Sequence, residues 1–248
     1  MSLSGVLAVI PARYGSSRFP GKPLACIAGV PLVLRVHERV TEALPRDQVI
    51  VATDDLRVRA CCEAAGANVV MTSSRCMTGT DRVWEAVRDR DERVILNVQG
   101  DEPLIEPEDI LSVLASWEER GMGVVNAMCA IEREDDVRSL HVPKVSVHED
   151  GRLAEMSRSP LPFHFSKYDD APFRRQVCIY AFGRRELEAF GSYGRRSPTE
   201  SLHDIEILRF LDLGIDVNMV EVTAASHAVD IPEDVERIEA LLRESVGR

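Results

Sequence analysis

Val6-Leu7-Ala8-Val9-Ile10, followed by Pro11-Ala12-Arg13-Tyr14-Gly15-Ser16-Ser17-Arg18-Phe19-Pro20-Gly21-Lys22-Pro23, is the stretch on which the reading of this chain turns. A short apolar run without polar alternation is a strand covered on both faces, and Pro11 stops it. The loop behind it sets Arg13, Arg18 and Lys22 among small residues that let backbone N–H groups turn toward an anion. It is not a Walker A loop, because Gly15 and Gly21 are separated by five residues and Lys22 precedes Pro23; nor does it contain G-x-G-x-x-G.

Outward from this stretch the same pattern repeats. Residues 31–44 carry Leu32, Val36 and Val40 at helical spacing, and 48–53 form a second apolar run. Residues 56–65 read as a helix closed by Gly66, 68–71 as a strand, 81–88 as a helix and 94–98 as a strand. A further helix opens at Glu106-Pro107-Glu108, with Pro and acids in its first turn. Strand, loop and helix in repetition predict an α/β fold, a Rossmann-like, mostly parallel sheet with flanking helices. Ligands in such sheets sit beyond the C-terminal strand ends, which is where segments 11–23, 53–55 and 99–103 fall.

The second half is less regular. Strands are expected at 144–148 and 177–182, on either side of a Pro- and aromatic-rich stretch at 157–172. A helix over 200–213, a strand over 217–222 and a helix over 232–244 follow. No linker composition interrupts the chain, so 1–248 reads as one domain, with about 144–195 as a small β-rich insertion that covers the site or forms a dimer contact.

A formal net charge of −11 excludes a general nucleic-acid or anionic-membrane binder, although a local basic cluster still suits a small anionic substrate. No apolar stretch approaches the roughly 18 residues of a membrane span, and residues 1–4 carry neither a basic n-region nor a cleavage site, so no signal peptide is expected. The six cysteines show neither C-x-x-C nor zinc spacing and read as reduced thiols of a cytoplasmic protein. The histidines are scattered, and no Ser-His-Asp set can be assembled.

Three further segments carry candidate chemistry, each with a plain structural alternative. Gln99-Gly100-Asp101 puts a carboxylate after the fourth strand, suited to Mg²⁺ or to ordinary turn formation. Thr78-Gly79-Thr80-Asp81-Arg82 offers hydroxyls and N–H groups to a base or ribose, or simply caps a helix. Asp230-Ile231-Pro232-Glu233-Asp234, taken alone, is the cap and acidic first turn of the last helix.

Together, Val9 to Leu24, Val51-Ala52-Thr53-Asp54-Asp55, Thr78 to Arg82 and Asn97 to Ile105 closely resemble the motifs of the 3-deoxy-manno-octulosonate cytidylyltransferase (CMP-Kdo synthetase) family. Ser157-Arg158, Pro160, Pro162, Ile179-Tyr180, Ser197-Pro198, Glu200, Glu206, Leu208-Arg209 and Val229 to Asp234 follow in that family's order. The resemblance runs from about residue 6 to residue 242. It implies a fold of the nucleotide-diphospho-sugar transferase type. The activity implied is Mg²⁺-dependent transfer of CMP from CTP to the anomeric hydroxyl of 3-deoxy-D-manno-octulosonate (Kdo), by a cytoplasmic homodimer serving lipopolysaccharide biosynthesis.

By the same resemblance Pro11, Ala12, Arg13, Ser16, Lys22, Thr78, Gly79, Thr80 and Arg82 bind the nucleotide. Asp101 and Asp230 hold the metal and, with Arg13 and Lys22, form the catalytic set. Gln99, Arg158, Gln176, Tyr180, His203 and Glu206 line the sugar pocket. The chain departs from the family pattern near that pocket. Gln176-Val177-Cys178-Ile179-Tyr180 stands for His-Ile-Gly-Ile-Tyr, His203 replaces a Glu, Ile207 replaces a Gln, and Glu155-Met156 replaces Tyr-Phe. Lost polar contacts shift discrimination strongly, so a modified 3-deoxy-ulosonic acid is the alternative acceptor. A nucleotidyltransferase acting on a sugar 1-phosphate and an inactive nucleotide-binding homologue are the other readings.

Overall fold

The N-terminal apolar run forms β1 (Val6–Pro11), buried along its whole length. The computed structural model describes residues 3–246 apart from 17, 122, 163–172 and 224–226, with side chains described as far as 243. A two-strand ribbon, β2 (Cys26–Ile27) and β3 (Val30–Pro31), leads into α1 (Leu32–Ala43). Then come β4 (Val49–Thr53), α2 (Leu56–Ala64), β5 (Asn68–Met71), α3 (Gly79–Val87), β6 (Val94–Val98) and α4 (Pro107–Glu119). Each of these matches an expected element to within two residues where both ends were assigned.

The rest comprises β7 (Val124–Ala130), α5 (Glu134–Arg138), β8 (Lys144–Val147), β9 (Leu153–Ser157) and β10 (Arg174–Gly183). It closes with α6 (Arg184–Ser192), α7 (Pro198–His203), α8 (Leu208–Asp212), β11 (Val217–Glu221) and α9 (Glu233–Val246). The main sheet runs β11-β7-β10-β6-β1-β4-β5. β6, β1, β4 and β5 are parallel neighbours, as are β11 and β7; β10 runs antiparallel between β6 and β7. The sheet is therefore mostly parallel, with β10 reversed. Residues 144–195, expected as an insertion, contribute that central strand together with the β8–β9 hairpin hydrogen-bonded to it.

One apolar cluster fills the face under α1 and α4, around Val36, Ile110 and Trp117; another fills the opposite face, around Val83, Phe190 and Phe210. The helix expected over 200–213 is two short helices. Ser197 and Glu200 form a reciprocal capping box that starts α7 earlier, and Asp204 takes a left-handed conformation (φ 53°) that ends it. The break turns Ile205 and Ile207 into the second apolar cluster.

Candidate functional site

A cleft of about 630 Å³ opens at the C-terminal ends of β1 and β6. Because β10 is reversed, its first half reaches the same edge and adds Arg175, Gln176, Cys178 and Tyr180 to the wall. Pro11, Ala12, Arg13, Ser16 and Lys22 line the cleft from the loop after β1. Arg13 is exposed, and among the described residues it has no ion-pair partner.

Lys22 organises the acidic corner. Its Nζ donates to Asp101 Oδ2 at 2.7 Å and to the Val229 carbonyl at 2.9 Å, and lies 3.8 Å from Asp230 Oδ1. The Val229 N–H donates to the Asp101 carbonyl at 2.8 Å, which ties the two acid-bearing segments together. Arg18, one of the three loop cations read from the sequence as facing an anion, reaches Asp230 Oδ1 at 3.2 Å. Asp234, in the first turn of α9, accepts from the N–H groups of residues 230 and 231, and the Asp230 carboxylate accepts no backbone N–H among the described residues. Asp230 is thus free of capping duty and turned toward Lys22. Among the described residues no group of three or more His, Cys, Asp or Glu is placed to hold a metal. Two hard carboxylates on one small space do fit Mg²⁺, which takes one or two protein carboxylates and completes its shell with phosphate and water.

The nucleotide turn is a helix start. Thr78 accepts from the Asp81 N–H at 3.1 Å and Asp81 caps Thr78 in return at 3.0 Å. A Cβ on Gly79 would lie 2.4 Å from Gln99 Nε2, so a side chain there would push the Gln99 amide out of its present place against the turn. Arg82 lines the cleft but is nearly all buried, its guanidinium donating to Asp54 at 3.1 Å and to Thr72. Thr80 does not line the cleft; its hydroxyl is buried and accepts from Asn97 at 3.1 Å.

Glu206 faces the start of α3. Its Oε2 accepts from the Thr80 N–H at 3.1 Å and its Oε1 from Gln99 Nε2 at 2.7 Å. Burial raises its carboxyl above the ordinary range. On the other wall Arg158 donates to the carbonyls of Leu140, His203 and Asp204 at 3.0, 2.9 and 2.8 Å. His203 contributes that carbonyl and its side chain does not line the cleft; Ile207 is buried in the core, Met156 likewise, and Glu155 is exposed. Of the departures from the family pattern, Gln176 and Cys178 alone face the cleft. Glu102, which accepts from the Cys178 N–H at 3.0 Å, also lines it. Nothing in the sequence separated it from its neighbour Asp101.

Behind the site sits a buried ion cluster. Arg209 is wholly buried, paired to Glu200 at 2.7 and 2.8 Å and to Asp81 at 2.6 and 3.2 Å, and stacked 3.8 Å from the Phe190 ring centroid. It fastens the helix start that holds Thr78 to the segment that carries Glu206.

Among the described residues no helix is long and apolar enough to cross a membrane. A family model described as cytidylyltransferase matches residues 7–218. The 3-deoxy-manno-octulosonate cytidylyltransferase of Anaeromyxobacter sp. (strain Fw109-5) is 41% identical over 241 residues, covering 96% of each chain. That of Arabidopsis thaliana, named as mitochondrial, is 38% identical over 246 residues, covering 97% of this chain and 84% of the relative. A solved CMP:2-keto-3-deoxy-manno-octonic acid synthetase, in complex with CTP, superposes with a TM-score of 0.88 at 34% identity, over 97% of this chain and 99% of the other. With the basic loop, the paired acids and the capped turn set around one cleft, this chain belongs to the 3-deoxy-manno-octulosonate cytidylyltransferase family.

Proposed function

We propose that this chain transfers CMP from CTP to the anomeric hydroxyl of Kdo. The hydroxyl oxygen bonds to the α-phosphorus, the bond to the bridging oxygen of the β-phosphate breaks, pyrophosphate leaves, and the hydroxyl proton is given up. The carrying observation is the convergence of Lys22, Asp101 and Asp230 beside the basic loop at the strand edge. Such a transfer needs charge neutralisation and in-line placement more than a covalent group on the protein.

Arg13, Ser16 and Lys22 hold the triphosphate, with Arg13 the uncommitted cation at the mouth. Pro11 and Ala12 at the strand end, with Thr78 and Gly79, frame the nucleotide, and Arg82 braces that turn through Asp54. Asp101 and Asp230 hold Mg²⁺, which when bound neutralises phosphate charge and acidifies the attacking hydroxyl. Gln99, Arg158, Gln176, Tyr180 and Glu206 bind the sugar, His203 acting through the carbonyl that anchors Arg158.

The alternative acceptor loses part of its ground, since Ile207 and the His203 side chain lie away from the cleft. A homodimer in the cytoplasm, serving lipopolysaccharide synthesis, is part of this reading; it is supported by the family motifs, and sedimentation of the purified chain tests the dimer. The reaction itself is tested by pyrophosphate release from CTP and Mg²⁺ with and without Kdo. Kdo-dependent release is expected. Release with CTP and a different ulosonic acid only would replace the acceptor, and no release with any of them would overturn the assignment.

A further inference from the structure

Asn126 lies in the middle of β7, wholly buried, where the register of β7 against β10 shifts between Val177 and Tyr180. Its Nδ2 donates to the Val177 carbonyl at 2.9 Å and to the Ile179 carbonyl at 3.0 Å. Those carbonyls only accept, so the group facing them must be the amide nitrogen, and Asn126 Oδ1 is left pointing the other way. Gln176 meets that oxygen with Nε2 at 2.8 Å. Gln176 is itself nearly buried and lines the cleft, and among the described residues its Oε1 has no partner. A reversed Gln176 would set two carbonyl oxygens against each other in a buried site, and a reversed Asn126 would leave both backbone carbonyls unsatisfied.

We infer that Asn126 is a positioning residue that holds the Gln176 amide in one orientation, so that Gln176 Oε1 reads a hydrogen-bond donor, a hydroxyl, on the acceptor sugar. The direction of this contact is set by the bulge carbonyls two bonds back in the chain of donors and acceptors. The inference rests on the acceptor occupying this wall of the cleft, as the proposed function requires.

The test uses a panel of Kdo analogues in which each hydroxyl other than the anomeric one is replaced singly by hydrogen or by fluorine. Fluorine accepts weakly and cannot donate. One position is expected at which both replacements lower kcat/KM by about tenfold or more, in wild type but not in Gln176→Met. Asn126→Ala is expected to lose the same discrimination with KM for CTP unchanged. If Asn126→Ala does not fold, Asn126→Val takes its place, and a folded Asn126 variant that keeps the wild-type discrimination overturns the positioning role. A fluoro analogue that matches the hydroxyl compound at the position sensed by residue 176, or no position that depends on residue 176, overturns the inference. Because wild type must turn over unmodified Kdo for the comparison to exist, failure of the activity itself is seen separately.

Discussion

Lys22 Nζ sits 2.7 Å from Asp101 Oδ2 and 3.8 Å from Asp230 Oδ1, so its ammonium already answers the two carboxylates proposed to hold Mg²⁺. Ammonium and metal compete for the same charge. Phosphates of CTP would draw Lys22 outward and open the acids. Free wild type is therefore expected to bind Mn²⁺ weakly, read by its EPR signal, and more tightly once a non-hydrolysable CTP analogue is present. Lys22→Met is expected to bind Mn²⁺ at least about tenfold more tightly than wild type without nucleotide, while turnover falls about 10²- to 10³-fold. Equal Mn²⁺ binding by the two free proteins would rule out the competition.

Gly100 lets the Asp101 segment pass close to the end of β1. A Cβ there would stand 2.8 Å from the Pro11 carbonyl oxygen, a main-chain atom that cannot swing aside. Gly100→Ala is expected to cost about 1–3 kcal/mol in chemical denaturation and to lower CTP-dependent turnover, because Asp101 moves with the backbone. A variant with wild-type stability and turnover would show that the segment relaxes freely.

Arg209 balances Asp81 and Glu200 in a site without water-facing atoms of its own. Arg209→Met leaves Asp81 without its cation and Glu200 with the longer contact to Arg196 at 3.3 Å alone, with an expected loss of about 3–5 kcal/mol. Denaturation midpoints of the two proteins at pH 7 check it; a loss below about 1 kcal/mol would contradict this account.

Lys144 is buried under the Arg158 wall, donating to the Ser139 carbonyl at 2.6 Å and to the Arg158 carbonyl. Burial, with the Arg158 charge nearby, lowers its ammonium from 10.5 to about 8. Between those pH values the unfolded chain binds the proton more tightly than the folded one, so this residue adds stability as pH rises through that window. The stability of wild type minus that of Lys144→Met should therefore increase from pH 8 to pH 10; a flat difference in urea melts would refute it.

The parallel half of the sheet was legible because β1 and β4 open on unbroken apolar runs and β6 carries its one amide, Asn97, only at the penultimate position, each followed by a loop that reaches the cleft. β7 was not, because Asn126 interrupts its apolar run and is paid for only by carbonyls some fifty positions on, at separations of 51 and 53 residues. The Arg209–Asp81 pair spans 128 residues, and no local pattern marks it. The motifs also placed Ile207 correctly in sequence while leaving its direction open. A helix expected through residues 200–213 would have presented it differently from the broken one observed.

That break has a consequence for how this pocket tolerates change. An unbroken helix would consume the carbonyls of His203 and Asp204 in its own ladder; ending α7 at a left-handed Asp204 releases both to Arg158. The guanidinium is then seated on main-chain oxygens, which every residue type supplies alike. Side chains at 203 and 207 can drift over generations without disturbing the seat, whereas Asp204, whose backbone shape few residues adopt, cannot be exchanged so freely.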